Sequence, residues 1–264
     1  MSSPALDTTT IHSDGATLDC FQVPWDSSIF GFPVAQISRI DLGDPERPSA
    51  GLLASFDAWC SDRAVRLVSC RLDHTQLRES MALEAHGFRF VEMVYEPRLD
   101  DLADIATPRH VIDVSEATQD DLPAIEMVAS HAFTTGRFLL DHRLPPDLSD
   151  RRYSTWVRSA FESTEQTVLK AEIDGALVGF FIVEERSDAS VYWHLTAIAP
   201  GWQGQGIGLS LWRTMLRRHA AAGASSVATT ISGHNLAAIN LYGRLGFSFR
   251  SAQMTFHRFA TPSA

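Results

Sequence analysis

The chain has few cysteines, a single lysine and no long apolar run, and each scarcity excludes a class of protein. Its 3 Cys residues, at positions 20, 60 and 70, lack the spacing of metal ligands. We therefore expect reduced packing thiols, without a disulfide and without a metal site. No segment approaches the roughly 18 apolar residues of a membrane helix, and residues 1–20 are too polar for a signal peptide. The sequence predicts a cytoplasmic protein without membrane contact.

The chain also lacks positive charge. Its 22 Lys and Arg residues stand against 32 Asp and Glu residues, which gives a net charge of −10 at pH 7. A nucleic-acid partner would require a basic face, so this balance argues against one. Any anionic ligand must be held by local backbone amides and a few arginines. Because Lys170 is the only lysine, a nucleoside-triphosphate loop of the form G-x-x-x-x-G-K-[ST] is excluded as well.

A glycine-rich segment is the most informative part of the sequence. It reads Gln203-Gly204-Gln205-Gly206-Ile207-Gly208 and lies between a strand-like run that ends at Pro200 and an amphipathic helix predicted over about 209–222. Glycines let the backbone approach phosphate oxygens closely, and the first amides of a helix have no partner inside that helix. The segment therefore predicts a cradle for a diphosphate. It does not match the dinucleotide pattern G-x-G-x-x-G with its later acidic residue.

An ordered set of residues around the cradle narrows the prediction. The set is Q-x-x-G-x-G at 203–208, the strand 195–200 before it, and Asn235, Ala238, Tyr242 and Leu245-Gly246-Phe247 after it. Over about residues 110–260 this set resembles the GNAT family of acetyl-CoA-dependent N-acetyltransferases. The resemblance implies acetyl-CoA as cofactor, no metal, and direct transfer of the acetyl group to an amine through a tetrahedral intermediate.

The same resemblance implies roles for single residues. The N–H of Ile198, on a strand that splays from its neighbour, would face the thioester oxygen. Asn235 would contact the pantetheine arm, besides the helix-capping role that its position alone predicts. The Tyr242 hydroxyl would protonate the leaving thiolate.

The general base is less clearly marked. Many members of the family carry a Glu on the central strand, but here that strand reads Tyr192-Trp193-His194-Leu195-Thr196. Histidine is the side-chain type best suited to acid–base chemistry near neutral pH, so His194 is the candidate base, with Asp141 and Glu184 as lesser candidates. A mechanism without a dedicated base stays open, as does a purely structural His194.

Two shorter stretches bear on the acceptor. Residues 25–31 and Gly136-Arg137-Phe138 with Asp141 look like the dTDP-fucosamine acetyltransferase branch of the family. That similarity implies a nucleotide-linked amino sugar, which we expect beside Arg137, Asp141 and Arg143, since guanidinium pairs well with phosphate. A free aminoglycoside, a polyamine or a peptide amine is the alternative acceptor. An acyl-CoA sensor is the alternative outside enzymes, and a homodimer stays open.

The pattern of elements predicts two α/β halves. A polar segment, 99–108, predicts a boundary between a domain of residues 1–105 and a catalytic domain of residues 110–264. In the second we expect strands at 110–114, 167–173, 176–184 and 190–199, helices from 120, at 148–161 and at 235–245, and a last strand to about 258. The predicted class is α/β with a mixed sheet, in which the C-terminal part has the GNAT fold.

The first half repeats part of that order. A helix at 52–64, a strand at 65–72, a helix at 76–86, Gly87-Phe88 and a strand at 89–97 are expected. The second half also has a helix, a strand, a helix, Gly246-Phe247 and a strand. We interpret the first half as a truncated GNAT-like copy that has lost its cofactor site. A coincidence of common α/β rhythm is the alternative.

Overall fold

A computed structural model describes residues 7–44 and 50–260. Its contacts divide the chain into two compact units. One unit runs from Tyr95 to Ser251 and is named here the glycine-loop unit. The other, the terminal unit, combines the described residues up to Val94 with those from Ala252 onward.

Strands and helices alternate through both units. In chain order they are β1 Thr9–Ser13, β2 Ala16–Gln22, α1 Pro24–Phe30, β3 Val34–Asp41, α2 Ala50–Asp62, β4 Leu67–Asp73, α3 Leu77–Ala85, β5 Arg89–Leu99, β6 Asp113–Glu116, α4 Leu122–Ala132, α5 Arg137–Leu140, α6 Asp147–Phe161, β7 Thr167–Ile173, β8 Ala176–Glu185, β9 Ser190–Ile198, α7 Gly208–Ala221, β10 Ser226–Thr229, β11 Ile231–Ser232, α8 Leu236–Arg244 and β12 Ser248–Phe259.

The glycine-loop unit is built on a mixed sheet in the order β6-β7-β8-β9-β10-β5. Neighbours from β6 to β9 are antiparallel, β9 and β10 are parallel, and β10 and β5 are antiparallel. The type I′ signal Asp174-Gly175 forms the β7–β8 turn, and both residues have positive φ, 50° and 78°. The sheet confirms the predicted fold class.

Helix α7 packs on this sheet through an apolar stripe. All five members of the stripe predicted from the 3.6-residue period are buried, namely Leu211, Trp212, Met215, Leu216 and His219. The Trp212 ring lies 4.9 Å from Phe181 of β8 and 6.4 Å from Trp193 of β9, measured between centroids. Since α7 follows the glycine loop directly, this packing fixes the position of the loop's helical end.

The strands of the terminal unit lie in the order β1-β2-β3-β4-β12. Strands β3 and β4 are parallel, whereas the other neighbours are antiparallel. Four predicted elements of this unit, α2, β4, α3 and β5, lie within two residues of their predicted bounds. The earlier elements β1, β2, α1 and β3 have no counterpart among the elements predicted from the sequence.

The division into units differs from the predicted boundary at residues 105–110. Strand β5 ends in the pairs Leu99↔Val227 and Arg98↔Ala228, so its end lies with the glycine-loop unit. Residues 253–259 of β12 pair with β4 and therefore belong to the terminal unit. Composition marks a polar segment but carries no information on strand pairing between distant segments. The strand predicted at 110–114 also lies later, at 113–116.

The three cysteines are buried and unpaired. Burial raises the pKa of the Cys20 and Cys70 thiols to about 12, so both stay protonated. They are the packing thiols that the sequence predicted. Within residues 7–44 and 50–260 no helix has the length and apolar character to cross a bilayer. The same residues contain no group of three or more His, Cys, Asp or Glu side chains that could hold a metal.

We predict that buried His219 makes folding sensitive to acid. The residue is 2% exposed, and its Nε2 accepts a hydrogen bond of 3.1 Å from Trp193 Nε1. Burial, assisted by Arg218, lowers its pKa from 6.5 to about 4. The unfolded chain therefore binds the proton more readily, and stability falls as the pH drops from 6.5 towards 4, by on the order of 3 kcal/mol. In urea unfolding, His219→Gln should flatten the dependence of the unfolding free energy on pH in this range.

The matched control for that measurement is the exposed His110. His110→Gln should leave the pH dependence of the unfolding free energy unchanged, because unfolding changes the surroundings of an exposed side chain little. Equal slopes for all three proteins would show that His219 is not the group responsible.

Candidate active site

Strands β9 and β10 run side by side and then part. They are paired from Ser190↔Ser226 to Trp193↔Thr229 and no further. On its other side β9 stays paired with β8 as far as Ile198. Within the described part of the chain, no strand pairs with the edge of β9 that faces away from β8 between His194 and Ile198.

A β-bulge accompanies this parting. The register of β8 on β9 moves from Ile182↔Leu195 to Val183↔Trp193, which leaves His194 as the extra residue. A bulge bends its strand and increases the local twist, and so it turns the rest of β9 away from a straight partner. His194 therefore lies at the point where the two strands separate.

The backbone N–H of Ile198 points to the opened edge. The N–H of the next residue, Ala199, donates to the carbonyl of Val178 in β8 at 2.8 Å. Successive amides along a strand point to opposite sides, so the Ile198 N–H faces away from β8. The family resemblance implies that this N–H faces the thioester oxygen, and that role stays a prediction.

The glycine loop follows directly and is exposed. Gly204 and Gly206 have φ of 75° and 79°, a left-handed conformation that favours glycine. Among the described residues, no group accepts a hydrogen bond from the amides of Gly204, Gln205, Gly206 or Ile207. Together with the first turn of α7, which begins at Gly208, these amides form a set of free donors. Such a set binds anions.

Two glutamine side chains brace the loop. Gln203 Nε2 donates to the carbonyl of Ile198 at 3.1 Å, and Gln205 Nε2 donates to the carbonyl of Gly201 at 2.7 Å. A Cβ atom at Gly208 would lie 3.2 Å from Cδ1 of Ile198, which is tighter than ordinary contact. Glycine at 208 therefore lets the start of α7 approach the end of β9.

Helix α8 and its N-cap supply two further predicted residues, Tyr242 and Asn235. Asn235 caps the helix, since its Oδ1 accepts a hydrogen bond of 3.0 Å from the Ala238 amide. The cap uses Oδ1 alone, so the donor Nδ2 is available to another partner. Tyr242 lies two turns further along the helix and is 1% exposed.

The Tyr242 hydroxyl is buried without a hydrogen-bond partner among the described residues, and so is Nε1 of Trp212. Burial raises the pKa of the Tyr242 phenol, while the neighbouring polar groups of Trp212, Thr196 and Thr229 act in the opposite direction. Thr196 follows the bulge in β9, and Thr229 ends β10. The hydroxyl therefore lies near the point where the strands part. A raised pKa keeps its proton in place at neutral pH.

His194 forms a close pair with Glu184. Its Nε2 lies 2.7 Å from Oε2 of Glu184, and the other carboxylate oxygen accepts a hydrogen bond of 3.1 Å from Arg186. Burial would raise the pKa of Glu184, but the hydrogen bonds from His194 and Arg186 outweigh it and hold that pKa below its ordinary value. Two of the three predicted candidates for the base, His194 and Glu184, are thus hydrogen-bonded to each other. The rings of Tyr192 and Trp156 flank His194 with centroids at 4.9 and 6.4 Å.

The residues predicted to bind substrate separate into two groups. Asp141 is buried and receives two hydrogen bonds of 2.8 Å from the guanidinium of Arg143. This pair is complete without a ligand, which favours a structural role for both side chains. The guanidinium carbon of Arg137 lies 4.5 Å from the Phe138 ring centroid, and that of Arg152, which was not predicted, lies 5.2 Å from the same ring.

These features fit a CoA thioester. The free amides of residues 204–207 suit a diphosphate. The open edge of β9 suits an extended amide-bearing arm. The Tyr242 hydroxyl is a buried donor without a hydrogen-bond partner among the described residues. In each case a bound CoA thioester would supply the hydrogen-bond partner that the protein does not.

Comparison with known proteins gives the family. Residues 114–247, half of the chain, match the family described as Acetyltransferase (GNAT) family. The chain belongs to this family. Its members use acetyl-CoA and acetylate amines, so the GNAT resemblance of the glycine loop and of the residues that follow it is confirmed at the level of the family.

Three curated relatives carry named substrates or pathways. The spore coat polysaccharide biosynthesis protein SpsD of Bacillus subtilis is 26% identical over 137 residues, 52% of this chain and 47% of SpsD. The dTDP-fucosamine acetyltransferase of Escherichia coli is 27% identical over 199 residues, 72% of this chain and 81% of that enzyme. The L-2,4-diaminobutyric acid acetyltransferase of Nocardia farcinica is 32% identical over 122 residues, 45% of this chain and 60% of that enzyme. The chain thus spans about half the length of SpsD.

Solved structures share the fold. A GCN5-related N-acetyltransferase from Sphaerobacter thermophilus has a TM-score of 0.65 at 17% identity, covering 95% of this chain and 78% of its own. A tandem GNAT protein from the clavulanic acid biosynthesis pathway has a TM-score of 0.58 at 15% identity, covering 100% and 86%. These likenesses concern the fold, and they agree with a GNAT-like α/β half before the glycine-loop unit.

We predict that Asn235 has two separable roles. Asn235→Ala removes the cap and should lower the unfolding free energy by about 1 kcal/mol. Asn235→Asp keeps an oxygen that accepts from Ala238 but lacks the Nδ2 donor. It should therefore retain stability while raising the KM for acetyl-CoA several-fold. The measurements are urea unfolding and initial rates with varied acetyl-CoA, and a wild-type KM in Asn235→Asp would reduce Asn235 to a cap.

Proposed function

We propose that the glycine-loop unit transfers the acetyl group of acetyl-CoA to the amine of a nucleotide-linked amino-deoxysugar, with dTDP as the nucleotide. The proposal rests on one observation. Among the described residues, no hydrogen-bond partner is found for the loop amides, the Ile198 N–H or the Tyr242 hydroxyl. Acetyl-CoA, when bound, supplies an activated thioester. The loop amides would hold its diphosphate, and Asn235 Nδ2 would hold its arm.

Two donors would then stabilise charge. The Ile198 N–H is fixed by the pairing of β9 with β8, and a fixed backbone donor of this kind contributes roughly 3 to 4 kcal/mol to acyl transfer in a dry site. Tyr242 holds its proton on Oη because burial raises its pKa. A thiol has a free pKa of about 8.5, so a phenol that keeps its proton can return one to a departing thiolate.

The base would be His194, with Glu184 as its positioning residue. When Nε2 donates to Glu184, Nδ1 carries the lone pair that can take a proton from the incoming ammonium. The Glu184 carboxylate stays ionised at neutral pH because its pKa is lowered. It therefore stabilises the charge that appears on the imidazole.

The nucleotide-linked acceptor is supported by two observations. The dTDP-fucosamine acetyltransferase aligns with 72% of this chain and over 81% of its own length. In addition, Arg137 and Arg152 place two guanidinium groups beside the Phe138 ring, and guanidinium is well suited to phosphate oxygens.

A cationic free amine, such as a polyamine or an aminoglycoside, is the second candidate. It is favoured by an open groove of about 710 Å³ that includes Glu184 of the His194–Glu184 pair. Four carboxylates and one guanidinium line this groove, from Glu165, Glu184, Glu185, Asp188 and Arg186. Such a lining attracts ammonium groups and repels a diphosphate.

A panel of amines tests the proposal. Release of thiol from acetyl-CoA should depend on acceptor and be fastest with dTDP-linked amino sugars. Tyr242→Phe should lower kcat at least tenfold, with little change in acetyl-CoA affinity, because it removes only the proton donor. Affinity for acetyl-CoA without thiol release from any acceptor would indicate a binding module, and preference for free polyamines would select the second candidate.

The pH profile tests the base. His194→Ala should remove the acidic limb of the kcat/KM profile. Glu184→Gln should lower kcat less than His194→Ala does, because its amide oxygen still accepts the hydrogen bond from Nε2. Glu165→Gln, in the same groove but outside the His194 pair, is the control and should retain the wild-type profile. An unchanged acidic limb in His194→Ala eliminates the histidine.

A further inference from the structure

The terminal unit repeats the strand arrangement that opens the candidate site. Strands β3 and β4 are parallel and paired from Val34↔Leu67 to Ile37↔Cys70, four pairs as in β9 and β10. The register of β2 on β3 then shifts so that Ser38 is the extra residue. Ser38 thus stands where His194 stands in β9, directly after the last pair.

Helix α3 repeats helix α8 with the same length, 9 residues. The carbonyl of its seventh residue, Leu83, accepts from the Phe88 amide at 2.9 Å, as the carbonyl of Tyr242 accepts from Phe247 at 3.1 Å. Leu83 therefore takes the place of Tyr242. By the same count, Gln76 corresponds to Asn235.

In the terminal unit the opening is filled by side chains of the chain itself. Gln76 bridges the diverging strands, since its Nε2 donates to the Ile40 carbonyl of β3 at 3.3 Å and its Oε1 accepts from the Asp73 amide of β4 at 3.1 Å. Glu79 Oε1 accepts from the amide of Leu42 at 3.5 Å. Counted from the last strand pair, Leu42 is the counterpart of Ile198.

Arg78 also donates hydrogen bonds to the backbone that follows β3. Its Nη1 donates to the carbonyl of Gly43 at 2.6 Å, and its Nη2 donates to that of Asp44 at 3.2 Å. The positions of Arg78 and Glu79 in the glycine-loop unit are held by Ala237 and Ala238. Methyl groups cannot reach the strand, so there the amide of Ile198 is left for a ligand.

We propose that Gln76, Arg78 and Glu79 act as an internal ligand that closes the opened edge of β3, so that the terminal unit binds no coenzyme and each chain takes one acetyl-CoA. The physical reason is that an open strand edge presents amides and carbonyls that require partners. One unit obtains them from its own helix, and the other leaves them to the cofactor. The inference rests on the proposed function only for the place where acetyl-CoA binds.

Hydrogen exchange tests the internal ligand without any cofactor. In Glu79→Ala the Leu42 amide should exchange at least tenfold faster than in the wild type, because its acceptor is gone. Glu84→Ala, at an exposed position of the same helix, is the control and should leave Leu42 unchanged. Gln76→Ala, read at the Asp73 amide, is an independent second variant. Unchanged exchange at both amides overturns the proposal.

Calorimetric titration with acetyl-CoA tests the stoichiometry. We expect one site per wild-type chain, and two sites overturn the proposal. No binding at all contradicts the proposed function, while the exchange result still decides the fate of the internal ligand. Ala238→Glu introduces, at the corresponding position of α8, the glutamate that Glu79 provides in α3. This variant should bind acetyl-CoA at least tenfold more weakly. Asn240→Glu adds the same charge about 200° further round the helix and should change the affinity less than twofold.

Discussion

The parting of β9 from β10 is the constraint on which the candidate site depends. A parallel pair satisfies its backbone groups strand to strand, and four such pairs are made before the register shift at His194 ends them. Beyond that residue β9 keeps one partner strand, β8, and the amide of Ile198 faces away from β8. The loop and α7 follow immediately, so free donors at the strand edge and free donors at the helix start come from one continuous stretch of chain. A single irregularity in one strand thus arranges both parts of a surface suited to a long, partly anionic cofactor.

Differences in burial favour different protonation states in neighbouring titratable side chains. The Tyr242 phenol and the His219 imidazole are both enclosed, and enclosure disfavours the charged form of each, which keeps the phenol protonated and the imidazole neutral. Glu184 is more exposed and carries two hydrogen bonds from cationic or potentially cationic groups, which favours its ionised form. His194 lies between these environments, at the bulge. The electrostatic contrast across a few residues of β8, β9 and α8 is of the kind that acid–base chemistry requires.

Sequence patterns predicted those parts of the molecule in which local signals are strong. The buried stripe of α7, the Asp174-Gly175 turn, the helix that Asn235 caps and the glycine loop are all local, and each lies within a few residues of its predicted place. The patterns failed where the structure depends on distant pairing. Nothing local in β12 indicates that residues 253–259 pair with β4. The partnership of His194 with Glu184 depends on the β8–β9 register, and the contact of Arg152 with Phe138 depends on the packing of α5 against α6.

The repeated strand arrangement shows why a cofactor site is more than its fold. Both units have four parallel pairs, a bulge and a nine-residue helix that is followed by Gly-Phe, yet the open strand edge is satisfied differently in each. The difference lies in side-chain reach at the first turn of one helix: Gln, Arg and Glu span the gap in the terminal unit, whereas Asn and two alanines leave it open in the other. An unsatisfied edge is costly in a folded protein, so each opening must be satisfied from within or from solution. A unit whose opening is satisfied from within needs no proton donor for a ligand, which agrees with Leu83 at the helix position that Tyr242 holds in the other unit.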